Sequence, residues 1–170
     1  MKDPRVFMGV DPGVEGGLAL VEEDGLSASV YPMPETQEEI LLLVKEIAES
    51  DVVVLHCYLE KIPLVPEFVM RKKNPNFRRG QKGTAVLFEN LGFLKACLSA
   101  FGFKVTQVSP VKWQRGMNCL TGGDKKVTRA RAQQLFPSTR VYGKVTNKTA
   151  DALLMAEYCR RVEGLTCAAA

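Results

Sequence analysis

Histidine is almost missing from this chain, with one residue in 170, and the five cysteines (Cys57, Cys97, Cys119, Cys159 and Cys167) never fall into a CxxC spacing. These gaps argue against a zinc site and a disulfide framework and fit a reducing compartment. Long apolar runs are missing too, none approaching the roughly 18 residues a bilayer-spanning helix needs, which predicts a soluble chain. MKDPRVFMGV enters a strand-like run at once and leaves no room for a signal or transit peptide, and either a cytoplasm or an organelle stroma or matrix meets the reducing condition. Glycine-rich GVDPGVEGG has neither a GxGxxG nor a GxxxxGK(S/T) pattern and leads into a strand, so the dinucleotide and P-loop readings fail. Acids are scarce in only one part of the chain. Residues 1 to 60 carry three Lys/Arg and a net charge of −10, whereas residues 61 to 170 carry six Asp/Glu and a net +14. The overall +4 conceals this polarity. A basic half points to a polyanionic partner, with a lopsided solvated surface as the plain alternative.

What is present fits one globular domain over residues 1 to 164, with 165 to 170 as a disordered tail. RVFMGV at 5 to 10, GGLALV at 16 to 21 and SASVYP at 27 to 32 read as three successive strands and suggest an antiparallel meander. Thr36 followed by Glu39 forms a capping-box pattern ahead of a helix over 36 to 49. DVVVLHCYLE at 51 to 60 is apolar on both faces, as in a covered central strand. Leu87, Leu91, Leu94, Leu98 and Phe101 mark a helix over 84 to 101 that Gly102 caps, and KVTQVS at 104 to 109 is a fifth strand. Ser109-Pro110 opens a short turn carrying Trp113, and a basic helix spans 124 to 136 before Pro137. A mostly apolar helix follows over about 147 to 163. This order predicts an α/β domain with a five-stranded mixed sheet, antiparallel in its first three strands and parallel later, flanked by helices.

Three acids stand out. Alternation places Asp11 on the face of Phe7 and Gly9 at the end of the first strand, and Glu60 on the face of His56 and Tyr58 at the end of the fourth. Ligands of open α/β sheets bind beyond the carboxyl ends of the strands, where these two acids meet. Asp151 interrupts the apolar TADALLMAEY, where an unpaired carboxylate facing the sheet is costly. Converging carboxylates repel, and a divalent cation with oxygen preference, Mg²⁺ or Mn²⁺, removes the conflict. Taken singly, Asp11 also suits an Asp-Pro-Gly turn, and Glu60 and Asp151 also suit solvated positions. His56 lies four residues inside its strand and reads as a packed residue.

GVDPGVEGGLAL, YLEKI and KTADALLMAEYCRR resemble the three signature blocks of RuvC-type Holliday-junction resolvases, which have a ribonuclease H-like fold. GTAVLFENLGFLKACLSAFGFKVTQVSPVKWQR is similar to the helix, strand and P-x-x-W segment of the phage and chloroplast type, and DKKVTRARAQQLFP to its basic LFP block. The resemblance implies a homodimeric nuclease that cuts four-way DNA junctions by paired symmetric nicks. It makes Asp11, Glu60 and Asp151 ligands of two Mg²⁺ ions, for which Mn²⁺ can substitute. The family shows a fourth ligand, Asp or His, three or four residues before the last acid; here Lys148 and Asn147 stand there. The amide oxygen of Asn147 suits a ligand without its charge, and Lys148 suits the scissile phosphate. A natural variant, a substitution that traps substrate and a weakened homologue that binds without cutting all remain open.

The same resemblance gives the basic loop a role. Lys61, Arg71, Lys72, Lys73, Arg78, Arg79 and Lys82 would hold DNA backbone, while Phe68, Met70 or Phe77 wedges against the branch point. A solvated loop anchored by its apolar members is the plain alternative. Lys112, Arg115, Lys125, Lys126, Arg129 and Arg131 would form a second phosphate-contacting surface. A ribonuclease H-like nuclease acting on RNA is a further reading, whereas an actin-like sugar kinase needs a second domain that 170 residues cannot supply.

Overall fold

In a computed structural model, residues 3 to 62, 81 to 122 and 124 to 167 are described. The basic segment that holds Phe68, Met70, Arg71, Lys72, Lys73, Phe77, Arg78 and Arg79 lies outside them.

Strands β1 (Arg5–Asp11), β2 (Gly17–Glu22) and β3 (Ala28–Pro32) form the expected antiparallel meander. Helix α1 (Gln37–Glu49) then leads to β4 (Val53–Glu60), and α2 (Gln81–Ala100) to β5 (Val105–Val108). Both of those strands are parallel to β1. Helices α3 (Pro110–Gly116) and α4 (Lys125–Leu135), a 3₁₀ turn at Ser138–Arg140, strand β6 (Val141–Tyr142) and helix α5 (Ala150–Cys167) complete the chain. The sheet order is β5-β4-β1-β2-β3-β6, which places β1 centrally and brings the end of β4 beside it.

The sheet therefore has six strands where five were expected. The sixth, parallel to β3, is two residues long, too short for any alternation to reveal it. Helix α2 starts three residues early, so Lys82 belongs to its first turn and not to a loop. Helix α5 runs on through Gly164 to Cys167, where the sequence suggested fraying. A β-carbon at Gly164 would sit at ordinary contact distance from the Phe7 ring, so the glycine lies against the core and the helix continues over it.

Local chemistry explains the element ends. Thr36 Oγ1 accepts from the Glu39 N–H while Glu39 Oε2 accepts from the Thr36 N–H, the reciprocal capping box. Gly102 takes φ +75°, and the Gly102 and Phe103 N–H groups donate to Ser99 O and Leu98 O. That is a Schellman motif, which favours glycine because only it enters the left-handed region without penalty.

Alternation splits the core between the two sheet faces. Val6, Met8 and Val10 of β1 with Leu18, Leu20, Cys57 and Leu59 pack against Ile40 and Val44 of α1 and Leu91, Leu94 and Leu98 of α2. Phe7, Ala19, Val21 and Tyr58 on the opposite face pack against Trp113, Met117, Ala132 and the buried side of α5. Gly9 is what allows α5 to come so close, since a β-carbon there would overlap Ala152 O and the Ala156 N–H. The alternation that buries Phe7 under α5 carries Asp11 to the same face.

Candidate active site

Register brings the first two acids together. Pairing of β1 with β4 runs from Arg5 to Val10 opposite Leu59, so Asp11 and Glu60 are the next residue on each strand. Helix α5 crosses β1 at Gly9 and delivers Asp151 from its first turn. Asp11 and Asp151 are each 8% exposed, which for unpaired carboxylates would be unfavourable.

Lys125, from the first turn of α4, lies between them. Its Nζ is 3.5 Å from Asp11 Oδ2 and 3.5 Å from Asp151 Oδ2, and it donates to Glu15 O at 3.4 Å. Asp11 Oδ1 accepts from the Gly13 N–H at 3.2 Å. Asp151 Oδ1 is buried and has no hydrogen-bond partner among the described residues. Glu60 Oε2 accepts from the Trp113 indole N–H at 2.9 Å. Burial raises Asp11 above the ordinary carboxylate range, with Lys125 and the Gly13 N–H opposing and Asp151 adding to the rise. Burial, then Asp11 and Asp151, pushes Glu60 up to about 8 against the Trp113 hydrogen bond. For Lys125, burial works against the charge, but Asp11 and Asp151 outweigh it and raise the ammonium.

Asp11, Glu60 and Asp151 thus meet electrostatically, as their positions in the sequence suggested, yet a lysine ammonium joins two of them. Among the described residues no three His, Cys, Asp or Glu side chains are gathered into a ready-made ion site. The donor set nevertheless fits a hard divalent cation. It is all oxygen, its members repel one another, one buried oxygen has no partner among the described residues, and a cation already bridges the two aspartates.

The other sequence candidates separate. Lys125, expected on a phosphate-contacting surface, reaches Asp11 and Asp151 while its side chain stays 40% exposed. Arg131 is tied down, its Nε donating to Met117 O at 2.9 Å and Nη1 to Gln134 Oε1 at 2.6 Å. Lys61, Lys112, Arg115, Lys126 and Arg129 are exposed. Asn147 and Lys148 fall in the turn that starts α5, where the Ala150 N–H donates to Thr146 O, the Lys148 N–H to Thr146 Oγ1 and the Thr146 N–H to Thr149 Oγ1. Asn147 is exposed, and Lys148 Nζ pairs with Glu15 Oε1 at 3.2 Å, on the turn after Asp11. His56 is packed as read: Nε2 meets Thr106 Oγ1 at 2.8 Å and Nδ1 lies 3.3 Å from Glu163, which also accepts from the Tyr58 hydroxyl.

Sequence reasoning missed the Trp113–Glu60 bond and the pairing of Lys125 with the two aspartates. The one available signal for the first was a lone tryptophan amid core-forming residues, because a buried indole N–H needs an acceptor.

A pH dependence follows. Between the ordinary glutamate value of 4.5 and about 8, native Glu60 keeps a proton that the unfolded chain has lost. The contribution is fully present below 4.5 and is lost as pH rises to 8; the raised Asp11 acts in the same direction. Thermal melts in EDTA should show Tm falling by about 5 °C or more from pH 5 to pH 8, with a flatter profile for Glu60→Gln. Parallel profiles for the two proteins would remove Glu60 as the cause.

No protein-family model matches the chain, and no curated protein sequence does. Solved structures do. The chain is similar to Thermus thermophilus RuvC in complex with Holliday junction substrate, at a TM-score of 0.54 and 15% identity, covering 93% of this chain and 96% of that one. A second Thermus thermophilus RuvC structure matches at 0.51 and 16% identity, with the same coverage. At such identities the likeness is one of architecture, and the resemblance to the phage and chloroplast type rests on sequence motifs alone. The chain has a RuvC-like, ribonuclease H-like α/β fold.

Proposed function

We propose that this chain is a divalent-metal-dependent endonuclease that resolves four-way DNA junctions, acting as a homodimer that makes paired symmetric nicks. The observation that carries the reading is the meeting of Asp11 from β1 and Asp151 from α5 on one cationic group, 3.5 Å from each, with Glu60 on the neighbouring strand end. The likeness to a RuvC bound to a Holliday junction substrate supports branched DNA as the ligand.

Asp11, Glu60 and Asp151 would hold the metal. The chemistry that a bound pair of Mg²⁺ or Mn²⁺ ions would supply there is activation of a water and stabilisation of the leaving oxygen of the scissile phosphate. The chain's own residues do the rest. The Gly13 N–H orients Asp11, and burial under α5 keeps bulk water from the aspartates. Lys125, once free of the carboxylates, presents its ammonium to the phosphate. Lys148 is held by an exposed pair with Glu15, which is weak enough for a phosphate to displace. Exposed Lys61, Lys112, Arg115, Lys126 and Arg129 supply backbone contacts whose affinity falls with salt.

Asn147 leaves three carboxylates where the family has a fourth acid or histidine, so cleavage is slow and Asn147→Asp speeds it. Labelled four-way junction, linear duplex and single-stranded RNA, each incubated with Mg²⁺ and with Mn²⁺, decide the matter. The expected products are two symmetric nicks in the junction alone. Equal cutting of linear duplex would refute junction specificity, and preference for RNA would favour the alternative nuclease class. Tight junction binding with cutting only after Asn147→Asp would identify a weakened homologue. Sedimentation of the free protein should give a dimer; a monomer that binds junctions equally well would remove the paired-nick mechanism.

A further inference from the structure

The P-x-x-W turn contributes more to the site than packing. We propose that Trp113 is a positioning residue whose indole N–H holds one carboxylate oxygen of Glu60 and so presents Glu60 to the metal in a single orientation. The inference rests on the metal-dependent reading above and assigns Trp113 no contact with substrate.

The backbone leading to Trp113 is built for this. Val108 pairs with Glu60 across β4 and β5, and the Lys61 N–H donates to Val108 O at 2.8 Å. The chain then turns at Ser109, whose carbonyl accepts from both the Lys112 and Trp113 N–H groups. Pro110 at the start of α3 needs no donor there, and its fixed φ suits a first helical position. Only four residues separate Val108 from Trp113, so the strand partner of Glu60 and the donor to Glu60 belong to one short rigid unit. The indole is fully buried between the sheet and α5, among Met117, Leu153 and their neighbours. Phenylalanine would serve that packing. What tryptophan adds is a single N–H, and it is spent on a carboxylate oxygen 2.9 Å away.

A glutamate at a strand end has three rotatable side-chain bonds and would otherwise sample several rotamers. Holding Oε2 selects among them before any cation arrives. A buried hydrogen bond of this kind contributes roughly the equivalent of up to a tenfold change in an equilibrium constant.

The chain contains one tryptophan, so biosynthetic replacement with the benzothienyl isostere, sulfur in place of N–H, removes one donor from the whole protein and almost no volume. The modified protein should need severalfold, up to about tenfold, more Mg²⁺ for half-maximal junction cleavage, with unchanged junction affinity in EDTA. Trp113→Phe should behave likewise. Unchanged metal dependence in the isostere-containing protein would overturn the positioning role and leave the nuclease reading intact. Should neither the unmodified protein nor Asn147→Asp cut DNA, the nuclease reading falls, and the emission of the lone tryptophan still decides the role. A Mg²⁺-induced emission shift that disappears in Glu60→Ala supports it, and no shift in the unmodified protein overturns it.

Discussion

On the proposed nuclease reading, Asp151→Asn should lower single-turnover cleavage of a four-way junction by about 10³-fold or more, with folding and junction binding kept. Asparagine keeps the volume of the side chain inside the first turn of α5, so the packing of Ala150, Ala152 and Leu153 is undisturbed. What it removes is one of the negative charges that make the site attractive to a divalent cation. Asp151 Oδ1 has no partner among the described residues, so the apo protein loses only the ion pair of Oδ2 with the partly exposed Lys125, and its Tm in EDTA should fall by no more than a few degrees. Lys125 would then belong to Asp11 alone. Gel-shift binding in EDTA, melting and single-turnover rates together separate this outcome from misfolding. Cleavage within tenfold of the unmodified protein would exclude Asp151 from the metal site.

Gly9→Ala, a change of one methyl group, destabilises the protein by about 3 kcal/mol or more, the upper end of overpacking costs. The added carbon would overlap Ala152 O and the Ala156 N–H, which are backbone atoms of a helix and cannot rotate aside. Only a shift of α5 away from β1 relieves the contact, and that shift draws Asp151 away from Asp11. Urea denaturation should therefore show the loss of stability, and cleavage should fall along with it. Gly92→Ala is the control, since no described residue lies within 4 Å of a β-carbon there and Gly92 sits in the middle of α2. It should stabilise by roughly 0.5–1 kcal/mol through helix propensity. Equal effects of the two substitutions would remove the close approach at Gly9 as the determinant of the site.

Much of the framework was legible because it rests on local periodicity. Alternation along RVFMGVD and VVLHCYLE put Asp11 on the face of Phe7 and Glu60 on the face of Tyr58, and both strands bear this out in how they pack. The capping box at Thr36 and the cap at Gly102 were readable for the same reason, since each is a bond between residues a few positions apart. Strand β6 was not, because two residues carry no period and its pairing with β3 joins segments more than a hundred residues apart.

Lys125 shows the limit most clearly. In sequence it is one of six basic residues spread over the P-x-x-W turn and the basic helix, with nothing to mark it from Lys126 beside it. Lys126 points to solvent, while Lys125 reaches Asp11 and Asp151. The difference is set by how α4 packs against α5, through Ala132 and Phe136 in the shared core. A charge count records the sign of each residue but not its direction.

The sequence by itself determined the α/β class, the meander, the strand ends that carry Asp11 and Glu60, and the polarity of charge between the two parts of the chain. These depend on spacing along one strand or helix. The tertiary structure alone decided which cation meets the acids, which oxygen of Asp151 finds no partner among the described residues, and that the lone tryptophan donates to Glu60. Each of these joins residues from separate elements, and the contact exists only once α5 has closed over Gly9 and α3 has turned back beside β4.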